Sequence, residues 1–151
     1  MLAKLLRYSY LKIFLILIIR TPLGILSILS HKPRQQSPTT WEFSVYSAGG
    51  EDGILNYLTS HIINPNRYFV EIGASNGVAN NTAFFALVKK YSGLMVEGHK
   101  RTSDASKLFY GLVNRSVVCK NAFVSLKNIS DIIDSFRYLE PDLLSLDIDG
   151  N

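Results

Sequence analysis

An apolar run, Tyr68-Phe69-Val70, closes on an acidic residue and opens directly into Glu71-Ile72-Gly73-Ala74-Ser75-Asn76-Gly77. A buried strand that ends this way and is followed by a segment of helical periodicity commits the chain to an α/β architecture. Gly73 and Gly77 let the backbone turn tightly and approach a ligand, because neither carries a Cβ. The next helix aims its unpaired N–H groups at the same place.

The alternation continues downstream. The first strand, 68–72, leads to a helix over 81–91 with Phe84, Leu87, Val88 and Tyr91 on one side. A strand over 93–96 ends in Glu97 and leads to a helix over 103–113. A strand over 116–120, a helix over 129–138 and a strand over 142–148 complete the pattern. Strands separated by helices form parallel β-α-β units, so the fold expected is a doubly wound, mostly parallel sheet of order 3-2-1-4, a partial Rossmann-like arrangement.

The chain's 151 residues suit one domain with a sizeable core. With 47% hydrophobic and 19% charged residues it is neither disordered nor low-complexity. The formal charge of +4 is concentrated near the N-terminus, at Lys4, Arg7, Lys12, Arg20, Lys32 and Arg34. That placement points to a membrane surface, and no aromatic-interleaved basic stripe argues for nucleic acid. The single cysteine, Cys119, excludes an intrachain disulfide and paired-cysteine zinc sites, and its place in a strand reads as a small buried hydrophobe.

Residues 1–30 form a hydrophobic N-terminal helix, 31–40 a linker with two prolines, and 41–151 the N-terminal part of the catalytic-type domain. Residues 13–29 approach the ~20 apolar residues a membrane span needs. Arg20 near their middle costs roughly 2.5–3.5 kcal/mol, which the surrounding Leu, Ile and Phe can offset. A single-pass anchor, an interfacial helix and a cleaved or packing helix remain open. The protein is expected to be membrane-associated, single-pass if anchored, and otherwise cytoplasmic. Trp41, Phe43 and Val45 alternate with polar residues and predict a short extended piece.

In an open parallel sheet, ligands bind beyond the carboxyl ends of the strands, where the strand order reverses. The 71–77 loop and Asp147-Ile148-Asp149-Gly150 are expected to face each other across that crevice. Glu97, at the end of the second strand, is placed to accept hydrogen bonds from a ribose diol, or else to cap a helix. Asn121, ending the third strand, would read an adenine edge or serve a turn. The spacing Glu71-x-Gly73-x-x-x-Gly77 puts Ser75 where a dinucleotide fingerprint has its second glycine. It suits S-adenosylmethionine better, since that ligand has no phosphate and presents an ammonium, a carboxylate and a ribose. Glu71 would help hold the amino group. Asp147 and Asp149 are the acidic candidates for base or metal ligand at the crevice. His99 reads as flanking the adenosine or exposed.

Five blocks in order resemble the FkbM-type methyltransferase family, a branch of the class I S-adenosylmethionine-dependent methyltransferases. They are Ser47–Ile54, Tyr68–Gly77, Asn80–Thr82, Gly93–Gly98 and Asp142–Asn151, covering the chain from about residue 44 onward. The resemblance implies methyl transfer to an oxygen of a sugar, glycan or other small metabolite. It implies cofactor contacts at Glu71, Gly73, Gly77 and Glu97, and it matches Glu51 and Asp52 to an acidic pair near the methionine end of the cofactor. Family domains continue past the point matching Asn151, so a fragment with weak cofactor binding and little turnover is expected. A non-catalytic membrane-anchored remnant and a nicotinamide-dependent oxidoreductase are the rival functions.

Overall fold

The computed structural model describes residues 15–148. Asp149 and Gly150, and the first half of the hydrophobic N-terminal region, lie outside the described residues.

Four strands, β1 (Tyr68–Ile72), β2 (Ser92–Glu97), β3 (Val117–Asn121) and β4 (Leu143–Leu146), form one sheet of order β3-β2-β1-β4. All three pairings are parallel, with Glu71 beside Met95 and Ser145 in the central register. The parallel α/β sheet and its order match the sequence expectation.

Side-chain alternation sorts the strands into two faces. Phe69, Met95, Cys119 and Leu143 join a large core with Phe84, Phe85, Leu87, Phe109 and Tyr110. Tyr68, Val70, Ile72, Leu94 and Val96 face the other way, onto Ile132. The first face is covered by α1 (Thr21–Ser30), α2 (Glu51–Thr59), α3 (Ala83–Leu87) and α4 (Lys100–Val113). The second is covered chiefly by α5 (Ile129–Ile133). Because α5 is short, Leu146 on that face of β4 stays 64% exposed. β4 is therefore buried on one face, not on both as its apolar run predicts.

Two helices are shorter than their periodicity predicts. The Asn80 side chain accepts from the N–H groups of Thr82 and Ala83, which starts α3 two residues late. Lys90 adopts a left-handed φ of 57°, and the Tyr91 N–H returns to the Phe85 carbonyl, which ends it early. α5 stops at Ile133 because the N–H groups of Ser135 and Phe136 close tighter three-residue turns. Trp41, Phe43 and Val45 form no strand. Instead the Gly53 N–H donates to the Phe43 carbonyl, seating this segment against α2.

The N-terminal segment is helical from Ile16, first as a π-turn (Ile16–Arg20) and then as α1. Pro22 has no N–H and crowds the preceding turn, and the Thr21 N–H reaches back five residues to the Ile16 carbonyl. α1 lies on the domain. Gly24 sits so close to Val88 that a Cβ there would fall 2.6 Å from its Cγ2. Thr21 shares a hydrogen bond with the Tyr46 hydroxyl, and the Arg20 guanidinium lies over the Tyr46 ring. The expectation of a membrane-spanning helix is not met. Residues 13 and 14 of the expected span lie outside the described residues, and among the described residues no helix is long and apolar enough to cross a membrane. Residues 31–40 fold back on themselves, with the Trp41 indole N–H donating to the Arg34 carbonyl.

Candidate functional site

A crevice of about 440 Å³ opens at the carboxyl ends of β1, β2 and β4. Gly73, Ser75, Glu97 and Asp147 line it together, as the sequence predicts. His99, Thr102 and Phe123 complete its polar and aromatic wall. No Lys or Arg is among the lining residues.

Gly73 makes the crevice possible. Its φ is +89°, and a Cβ there would lie 1.7 Å from the Asp147 carbonyl oxygen. The loops after β1 and β4 can thus touch only through a residue with no side chain. The Gly73 and Ala74 N–H groups both donate to the Val96 carbonyl, and Asp147 N–H donates to Ile72, so the three strand ends are tied together.

Glu97 latches the loop. One carboxylate oxygen accepts the Ser75 N–H at 2.7 Å and the other accepts the His99 N–H at 2.7 Å. Ser75 is held in a left-handed conformation, φ 49°, uncommon for a residue with a Cβ. Each carboxylate oxygen has a second lone pair, so Glu97 can still accept from a ligand hydroxyl.

Glu71 lies behind the crevice, fully buried on the α3 side of β1. The Ser145 hydroxyl donates to one of its oxygens at 2.9 Å, and Asn81 donates to Ser145 in turn. Its other oxygen has no partner among the described residues. Burial pushes the Glu71 carboxyl up to about 7, against the opposing pull of the Thr82 and Ser145 hydroxyls. The Asp147 charge pushes it further the same way.

The remaining sequence candidates sit elsewhere. Glu51 lines a separate cavity of about 260 Å³ with Asn81, Leu143 and Ser145. Its carboxyl is held below the usual range by its own backbone N–H, with a further contribution from the Gly49 N–H. Asp52 is fully buried, and one oxygen accepts the N–H groups of Val45, Tyr46 and Ser47. It clasps the loop before α2. Gly77 packs under α4, where its carbonyl accepts the Tyr110 hydroxyl. Asn121 donates to the carbonyls of Glu97 and Gly98, holding the end of β2. Among the described residues no three His, Cys, Asp or Glu side chains gather to hold a metal ion.

Phe123 and Thr102 are crevice residues that the sequence reading missed. The Phe123 ring lies over Gly98, where a Cβ would fall 2.6 Å from it. Its sequence signal was the pairing of a bare glycine after β2 with an aromatic two residues past β3. No family model, curated protein or solved structure matches this chain.

Proposed function

We propose that the chain is an S-adenosylmethionine-dependent methyltransferase-type protein of the FkbM kind, acting on an oxygen of a sugar, glycan or small metabolite. The observation that carries this reading is the composition of the crevice. Two carboxylates, two hydroxyls and an exposed aromatic ring line a strand-end cleft with no Lys or Arg to receive a pyrophosphate. That donor set suits a ligand with positive charge, a ribose and a flat base. It suits a dinucleotide poorly.

When bound, S-adenosylmethionine supplies an electrophilic methyl group on sulfur. The chain's own residues bind and orient. Glu97 accepts from the ribose hydroxyls with the lone pairs its loop contacts leave free. Phe123 and His99 flank the base. Asp147 is exposed at the opposite lip, where its carboxylate can take the proton of an acceptor hydroxyl. Most of the rate then comes from positioning. A binding module without turnover would share the crevice and differ only in leaving the acceptor unmethylated.

Calorimetry with S-adenosylhomocysteine and with NAD tests the reading. S-adenosylhomocysteine binds more tightly, and Glu97→Gln weakens it roughly tenfold, about 1.4 kcal/mol. Tighter binding of NAD would reverse the assignment.

We also infer that α1 associates with a membrane surface. Leu23, Leu26 and Leu29 project from the side of α1 opposite the docked Gly24 and Ile28, and Leu29 is 76% exposed. Lys32 and Arg34 follow that apolar side in the sequence, where they can meet anionic headgroups.

A further inference from the structure

We propose that the open edge of β3 binds an acidic peptide segment in extended conformation, added as a further strand of the sheet. The inference is independent of the strand-end crevice.

β3 ends the sheet, with no strand beyond it among the described residues. Its inner bonds are fixed by register: Gly93 N–H reaches the Ser116 carbonyl, and Ala122 N–H reaches the Glu97 carbonyl. Alternate residues of a parallel strand face the same neighbour, so Val118 and Lys120 also bond inward. The backbone N–H and C=O groups of Cys119 and Asn121 therefore face outward. They offer two donors and two acceptors in strand spacing. The Val118 side chain, beside this edge, is 60% exposed.

A groove of about 590 Å³ lies over the α5 side of the sheet, from Tyr68 of β1 and Leu94 of β2 out to this edge at Val118 and Lys120. Lys107 from α4, Arg115 from the turn after it, Lys120 from β3 itself and Arg137 from beyond α5 all line it. No Asp or Glu is among the lining residues. None of the four cations makes an ion pair among the described residues, where the one such pair is Lys100 with Asp104.

A single lysine is enough to blunt a strand edge against self-pairing. Four cations around a groove, without a counter-charge, do more than that. They repel a second copy of β3 and attract a strand of opposite sign. Backbone bonds to Cys119 and Asn121 would supply register, and Lys107, Lys120, Arg115 and Arg137 would select acidic side chains.

The test uses the full chain, isotope-labelled, titrated with a blocked hexapeptide of alternating Glu and Thr while backbone amide signals are followed. The expected result is that the amides of Cys119 and Asn121 shift first. Added salt weakens the binding. The double variant Lys107→Glu, Lys120→Glu, with an unchanged circular dichroism spectrum, binds roughly tenfold more weakly. The same peptide methylated on alternate backbone nitrogens keeps its charge, loses its strand-forming N–H groups and fails to bind. Equal binding of the methylated peptide, or of a Lys-Thr peptide, would overturn the proposal. So would tighter binding of a single-stranded oligonucleotide, or shifts confined to the Gly73–Glu97 crevice.

Discussion

Glu71 is a buried carboxyl whose charge the fold opposes. Its carboxyl is fully buried, one oxygen lacks a partner among the described residues, and its value is pushed from 4.5 up to about 7, chiefly by burial. A carboxyl raised by folding holds its proton in the folded chain where the unfolded chain has already released it. Its stabilising contribution is complete below about pH 4.5 and is lost as pH rises through about 7. The size is on the order of 3 kcal/mol, since each tenfold change in proton affinity is worth about 1.4 kcal/mol. Glu71→Gln should flatten the fall in stability between these pH values and leave the variant more stable than the parent at pH 8. Urea unfolding across that range measures it, and an unchanged slope in the variant would remove Glu71 as its source. The same residue shows what a sequence conceals. Its place at the end of an apolar strand marks a ligand loop, but strand parity decides whether the side chain enters the crevice or the core. Here Glu71 shares the Phe69 face and is drawn behind the crevice by Ser145. Asp52 carries a similar lesson. An acidic residue at a helix start reads as a dipole partner or a ligand contact, yet three backbone N–H groups claim it.

Among the elements, the strands were legible and the helices were less so. Buried parallel strands announce themselves as short apolar runs, and β1, β2 and β3 lie within a residue or two of their expected bounds. Helix ends depend on single side chains and backbone conformations, such as Asn80 capping α3 and Lys90 ending it, and periodicity does not reveal them. α1 is the element whose surroundings the sequence left most open, because an apolar run suits lipid and protein equally well. The structure docks one side, through Gly24 and Ile28, and leaves Leu23, Leu26 and Leu29 exposed on the other. If the free side meets a membrane, the full chain should co-float with vesicles containing anionic lipid. Replacing Leu23, Leu26 and Leu29 together by Ser should abolish flotation while leaving the melting temperature nearly unchanged, since exposed positions contribute little to folding. Loss of the fold in that variant would mean the three leucines pack against protein, and persistent flotation would move the lipid contact elsewhere.

At the scale of the whole molecule, the two sheet edges are managed in opposite ways. The groove that reaches the β3 edge is lined by Lys107, Arg115, Lys120 and Arg137. Among the described residues the β4 edge has no such ring of cations: Leu144, Leu146 and Ile148 are exposed, interrupted only by the Asp147 carboxylate, and Leu144 and Leu146 lie on the sheet face that α5 leaves open. An apolar edge that no described residue pairs is, in this chain, a template for association, and charge is what normally prevents it. The chain should therefore self-associate through β4 and not through β3. Sedimentation velocity over a range of concentrations will show reversible dimers or larger species in the parent chain. Leu144→Lys with Leu146→Glu should return it to monomer, and both positions point to solvent, so the cost in stability should stay within about 0.5 kcal/mol each. Lys120→Leu, which removes charge from the opposite edge, should leave the Leu144→Lys, Leu146→Glu protein monomeric if three remaining cations suffice to guard β3. An association that survives the β4 substitutions but disappears on trimming α1 would place the sticky surface at the N-terminal helix instead, and the open face of β4 would then be inert.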